Sequence, residues 1–157
     1  MAAAPPEAPV EGRESEAALA IARGVRRLLR AHGFATVAEL PLSSGRRADV
    51  VGVNGDGALV IVEVKSSVAD FRADHKWRDY FAHCDRLYFA VGAGMPLDVM
   101  PEEAGLIVAD SYGGEILREP PTRAIPPAAR RAVLLRFALA AAERLHRLAD
   151  PGAAPES

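Results

Sequence analysis

Cysteine is all but missing from this chain: Cys84 stands alone among 157 residues. No internal disulfide can form, which points to a reducing compartment, and a solitary thiol of this kind reads as a core residue. Long apolar runs are missing as well. No stretch approaches the roughly 20 residues that a membrane-spanning helix needs. The first dozen residues have neither a basic n-region nor an apolar h-region, so they read as a disordered leader over 1–13 and not as a signal peptide. A second disordered tail is expected over 149–157. Together these shortages predict a cytoplasmic protein without membrane contact. Internal repeats are absent too.

Net charge is also nearly missing, at −2 from 19 basic and 21 acidic side chains. That figure at first argues against a nucleic-acid partner, but it is not evenly distributed. Segments 1–11 and 150–157 hold Glu7, Glu11, Asp150 and Glu156 and no Lys or Arg; without them 19 basic face 17 acidic groups, or +2. The positive charge is almost all arginine and is clustered: Arg23, Arg26, Arg27 and Arg30; Arg46 and Arg47; Arg130, Arg131 and Arg136. Arginine suits bidentate phosphate contacts, and clusters matter more than totals. Solvated helix faces are the plain alternative. Segment 98–119 is acidic and is expected to face away from any DNA.

What is present is enough for one domain, 14–148, since half of the residues are hydrophobic and a chain of this length buries one sizeable core. The spacing of Ala18, Ile21, Val25, Leu28 and Leu29 predicts a helix over Ser15–Ala31, ended by Gly33. Strands are predicted at Phe34–Leu40, Ala48–Val53 and Ala58–Lys65, with a turn at 54–57. The second and third are apolar on both faces, as central strands covered by helices on each side would be. Ser67 caps a helical region to His83, with a break near His75. Strands at Leu87–Val91, at Leu106–Ala109 and around Ile116 follow, then a helix over Ala128–Leu148. The expected fold is α/β: a restriction-endonuclease-like mixed sheet flanked by helices, with an α-β-β-β-α-β core and an added β-β-α.

The motif that carries chemistry is Glu63-Val64-Lys65 at the end of the run Ala58–Val62, with Asp49 on the preceding strand. Residues two apart on a strand share a face, so Glu63 and Lys65 project together where an apolar strand gives charge no other reason. Two carboxylates and an ammonium suit the binding of Mg²⁺ and the activation of a water that cuts phosphodiesters. Solvated strand-end charges are the alternative. Trp77 reads as core before it reads as a base-stacking platform; for Phe71 a core place and a wedge into DNA are both open. The four histidines show no metal-ligand spacing.

These residues resemble a known family. Asp49 with Glu63-Val64-Lys65 on the second and third strands is similar to the PD-(D/E)XK nuclease superfamily, and Arg30-Ala31-His32-Gly33-Phe34 to a turn of archaeal Holliday-junction resolvases. The closer resemblance is to MmcB-like bacterial DNA-repair proteins. It rests on Gly45-Arg46-Arg47-Ala48-Asp49, Ile61 through Ser67, Asp70 through Trp77, Cys84 through Val91 and Gly105 through Asp110. It implies an endonuclease of DNA repair, acting on branched or damaged DNA with Mg²⁺ or, in its place, Mn²⁺. It implies Asp49, Glu63 and the Val64 carbonyl as metal ligands and Lys65 as the residue that orients or deprotonates the attacking water. Backbone phosphates would meet Arg46, Arg47, Ser66, Arg72, Lys76, Arg26 and Arg30. Lys76 and Tyr80 resemble a Gln-x-x-x-Tyr pairing, with Lys in place of Gln. Homodimers are implied by the resolvase analogy. One departure stands out: Ala22 occupies the position where resolvases carry a metal-site Glu. That favours the alternative, a nuclease-fold module that binds DNA or a repair partner without cutting.

Register arithmetic suggests a replacement carboxylate. For Asp49 to face Glu63 the paired numbers must sum to 112, leaving Gly55-Asp56-Gly57 as a three-residue loop that ends in glycine. A loop Ser43-Ser44-Gly45 gives a sum of 88 for the preceding hairpin and sets Glu39 opposite Asp49. Glu39, Asp49 and Glu63 are then expected in one row, with Glu39 completing the metal site.

Overall fold

A computed structural model describes residues 11–152 of the chain. Helix α1 (Glu11–Ala31) leads into strands β1 (Ala35–Pro41), β2 (Arg47–Val53) and β3 (Leu59–Val64). Helix α2 (Val68–Ala73) and a 3₁₀ segment (Trp77–His83) cross over to β4 (Arg86–Val91). A 3₁₀ turn at Leu97–Val99, β5 (Gly105–Ala109), β6 (Gly114–Arg118) and α3 (Pro127–Ala149) complete the chain. The six strands form one sheet in the order β1-β2-β3-β4-β5-β6. The first three strands are antiparallel neighbours, β3, β4 and β5 run parallel, and β6 returns antiparallel. The expected fold class is the observed one. The leader and tail expected at the two ends lie mainly outside the described residues; within them α1 already begins at Glu11 and α3 runs to Ala149.

Both hairpin registers follow the glycine arithmetic. Val50 pairs with Val62 and Val53 with Leu59, and Ala38 pairs with Val50 and Pro41 with Arg47. Gly45 and Gly57 take φ of 88° and 80°, the left-handed conformation that closes such loops and that only glycine adopts freely. Asn54 secures the second loop, its Oδ1 accepting from the Asp56 and Ala58 amides at 3.0 Å each.

Two apolar layers clasp the sheet. Ile21, Val25 and Leu29 of α1 meet Val50, Val60, Val62, Val64, Tyr88 and Ile107 on one face. On the other, Val51, Leu59, Ile61, Leu87 and Phe89 meet Trp77, Tyr80 and Val133. Every β3 residue is buried, as its uninterrupted apolar run requires. Trp77 and Phe71 are core: their rings meet Phe89 edge-on at 5.2 and 5.4 Å between centroids. The helical region breaks where expected, with Asp74 extended between α2 and the 3₁₀ segment.

The arginine of α3 that the sequence offers to phosphate has another task. Arg130 holds Asp85 through two bonds of 2.7 and 2.6 Å and reaches the Gly57 carbonyl at 2.9 Å, while Asp85 Oδ2, already bound by Arg130, also accepts from the Leu59 amide at 2.7 Å. Further along α3, Arg144 donates to the carbonyls of Ala38 and Glu39 on the edge strand β1. Breaking one partner of a charge-assisted network leaves the other desolvated, so Arg130→Ala should destabilise the fold by about 2 kcal/mol, read from urea unfolding midpoints at unchanged m-value.

Candidate functional site

The β2–β3 ladder stops at Val50 and Val62, and side chains take over beyond it. The Asp49 amide donates to Glu63 Oε1 at 3.1 Å, and the Val64 amide donates to Asp49 Oδ2 at 2.8 Å. Each carboxylate thus replaces a ladder carbonyl, so the pair is wedged between two strand ends. Alternation puts Glu63 and Lys65 on the face of Leu59 and Ile61, toward α2 and the 3₁₀ segment. Glu63 and Lys65 are buried, at 3% and 6% exposure, and Asp49 is half-buried.

Burial, more than anything else, raises the pKa of Asp49 above the ordinary carboxylate value. Glu63 is pushed well up, first by burial and then by the charge of Asp49 beside it. Two adjacent carboxyl groups whose shared site favours protonation form a donor set whose ionised form a divalent cation would stabilise. Mg²⁺ is commonly held by one or two carboxylates, with water and phosphate oxygens filling the remaining positions. Asp49 and Glu63 fit that requirement.

Glu39 does not join them, contrary to expectation. Its backbone takes a φ of 51°, which breaks the alternation of β1 so that Val37 and Leu40, an odd and an even position, are both buried. The Glu39–Asp49 pair drops out of the ladder although its neighbours keep the sum of 88. Turned outward, the Glu39 side chain is 61% exposed and lies 3.8 Å from Arg47. Among the described residues no three Asp, Glu, His or Cys side chains gather as a metal cluster. Ala22, half-buried on α1, packs toward the opposite apolar layer.

The residue missed in the sequence is Asp74. From the end of α2 its Oδ2 accepts from Lys65 Nζ at 2.7 Å, and its Oδ1 from Arg46 at 3.2 Å. Burial alone would raise the Asp74 pKa, but the Lys65 hydrogen bond and charge, the Lys76 amide and Arg46 outweigh it and hold the carboxyl below its usual range. Arg46 also lies 4.9 Å over the Tyr80 ring. Tyr80 donates to the Arg47 carbonyl at 3.1 Å, and burial with the nearby charge of Glu63 pushes its phenol up to about 12. The only pointer to Asp74 was its place in the stretch Asp70–Trp77.

The residues expected to meet DNA separate into three groups. Arg46 is committed to Asp74 beneath the surface. Arg47, Arg72 and Lys76 are exposed, while the Ser66 amide is taken up by Asp70 at 3.1 Å. Lys76 is thus no partner to Tyr80 in lining the site. Arg26 and Arg30 belong to α1, on the far face of the sheet.

A carboxylate followed by E-x-K on adjacent strands of a mixed sheet resembles the PD-(D/E)XK arrangement expected from the sequence. Residues 5–152 match the model of the DNA repair protein MmcB-like family, and the chain belongs to it. A solved structure of a protein of unknown function from Silicibacter pomeroyi is 43% identical, with a TM-score of 0.85 over 89% of this chain and 97% of that one. A repair endonuclease from Pyrococcus abyssi is 21% identical over 42% of this chain and 33% of that one, at a TM-score of 0.30. No curated protein is significantly similar.

Because Glu63 keeps its proton in the folded state at pH values where the unfolded chain has released it, stability falls as pH rises above about 4.3, the ordinary Glu value. In EDTA, Glu63→Gln should remove that decline and melt above the wild type at neutral pH. Mg²⁺ should raise the melting temperature of the wild type and not of the variant, as thermal unfolding across pH will show.

Proposed function

We propose that this chain is a Mg²⁺-dependent DNA endonuclease of DNA repair that acts on branched or damaged DNA. The observation that carries the reading is Lys65 Nζ, held at 2.7 Å by Asp74 on the same sheet face as Glu63 and beside Asp49. Membership of a DNA repair family supports DNA as the substrate.

Each residue then has a defined task. Asp49 and Glu63 hold the cation, which when bound supplies Lewis acidity to the scissile phosphate and lowers the pKa of a water. Lys65 orients the attacking water and offsets charge that develops on the phosphate. Asp74 fixes the Lys65 ammonium, removing the rotamer freedom of a four-carbon chain before substrate arrives. The Tyr80 phenol, protonated throughout the neutral range, ties the β2 backbone at Arg47 to the same cluster. Exposed Arg47, Arg72 and Lys76 meet backbone phosphates, which position a substrate without reading its bases.

A second reading, a nuclease-fold module that binds without cutting, is favoured by one observation: with Ala22 on α1 and Glu39 turned outward, no third carboxylate joins Asp49 and Glu63 in a metal cluster among the described residues. Incubation of the pure protein with flaps, forks, four-way junctions and linear duplex, in Mg²⁺, Mn²⁺ or EDTA, separates the two. Cleavage that EDTA suppresses is expected; binding with no cleavage under any metal would establish the second reading.

Lys65→Ala should abolish cleavage and leave DNA affinity within about threefold, because several arginines share the phosphate contacts; gel assays and anisotropy read the two separately. Asp74→Asn keeps the shape and loses the charge that holds Lys65, and should slow cleavage about 10- to 100-fold, as loss of a supporting residue does, in single-turnover assays. A variant that cuts at the wild-type rate would show that Asp74 serves the fold alone.

A further inference from the structure

The other charged feature of the molecule lies on the opposite face. A groove of about 730 Å³ runs between α1 and the edge strand β1, lined by Arg23, Arg26, Arg27, Arg30, Phe34 and Thr36 among others. Among the described residues no carboxylate lines it, and none of the four arginines forms an ion pair with an acidic side chain. Arg26 is braced by Thr36, whose Oγ1 and carbonyl accept from it at 3.0 and 3.3 Å, and Arg27 donates to the Tyr112 carbonyl at 3.2 Å. Arg23 and Arg30 are exposed at the two ends of the row.

The arrangement costs stability as it stands. Arg23 with Arg27, and Arg26 with Arg30, are like charges four apart on a helix, and such pairs repel. Four guanidinium groups in one row without acids suit a ligand that is itself a row of anions. Phosphodiester backbone has that form, and guanidinium forks bind it bidentately. Asp49, Glu63 and Lys65 lie on the other face of the sheet, and the edge strand β1 with α3 packed on it stands between the two surfaces.

We propose that the α1–β1 groove holds the backbone of a second arm of a branched DNA, whose first arm lies over the Asp49–Glu63–Lys65 cleft. The edge strand β1 then sits at the branch. This rests on the reading of the cleft as a DNA site, and it names the substrate class: a DNA with two arms in preference to a linear duplex.

The test is Arg23→Ala with Arg30→Ala, since neither side chain is used to brace the fold. Anisotropy is measured in EDTA, across salt, on a four-way junction, a flap and a linear duplex of matched length. Wild type should prefer the branched molecules. The double variant should lose about tenfold on them, with the log–log salt slope falling by about 1.8 for two phosphate contacts, while duplex binding stays within about twofold. Arg23→Lys with Arg30→Lys should retain most of the affinity, and it carries the test if the alanine variant unfolds. Equal losses on branched and linear DNA, no loss on either, or a wild type without preference would each overturn the proposal. Because binding is read without metal, a wild type that prefers branches but never cuts would sink the endonuclease reading and leave the groove standing.

Discussion

The whole site depends on one exchange at the end of the central hairpin, where carboxylates take the place of backbone carbonyls. Asp49 and Glu63 accept the amides of Val64 and Asp49, so the two acids cannot swing away to solvent without leaving buried N–H groups unpaired. The cost of holding two carboxyl groups side by side out of water, which lifts the Glu63 pKa, is therefore built into the folded state. A carboxylate pair that could relax outward would bind a cation weakly, because relaxation would compete with binding. Here the strand ends forbid that escape.

Lys65 is governed by the same logic one shell outward. Its position is set by β3, but its ammonium is placed by Asp74, which the chain reaches only after the Ser67 cap and the short helix α2. Arg46 grips the other oxygen of Asp74 from the β1–β2 hairpin. Three separate segments thus converge on one carboxylate. The break in the helical region is what makes this convergence possible: a continuous helix through residue 74 would carry that side chain along the helix surface, away from its extended position between the two segments.

Much of this was legible in the sequence, and the reasons are local. Apolar runs, alternation and glycines at loop ends are short-range signals, and they were sufficient for the strands, the two hairpin registers and the juxtaposition of Asp49 with Glu63. Glu39 shows where such arithmetic ends: the pairing sum is right on both sides of it, yet a left-handed backbone at a non-glycine residue removes the side chain from the row. Asp74 and Arg130 were hidden for another reason. Each acts on a partner at some distance along the chain, Lys65 and Arg46 for the one and Asp85 for the other, and no periodicity marks a tertiary ion pair.

The irregularity at Glu39 also bears on how copies of the chain can meet. An outer strand normally presents free carbonyls and amides to which a neighbouring molecule can add a strand. On β1 the carbonyls of Ala38 and Glu39 are occupied by Arg144, the Pro41 carbonyl accepts from Arg136 at 3.4 Å, and Pro41 has no amide to give. The left-handed Glu39 also breaks the regular alternation of this border. Strand addition over Ala38–Pro41 of β1 would have to displace these bonds of α3.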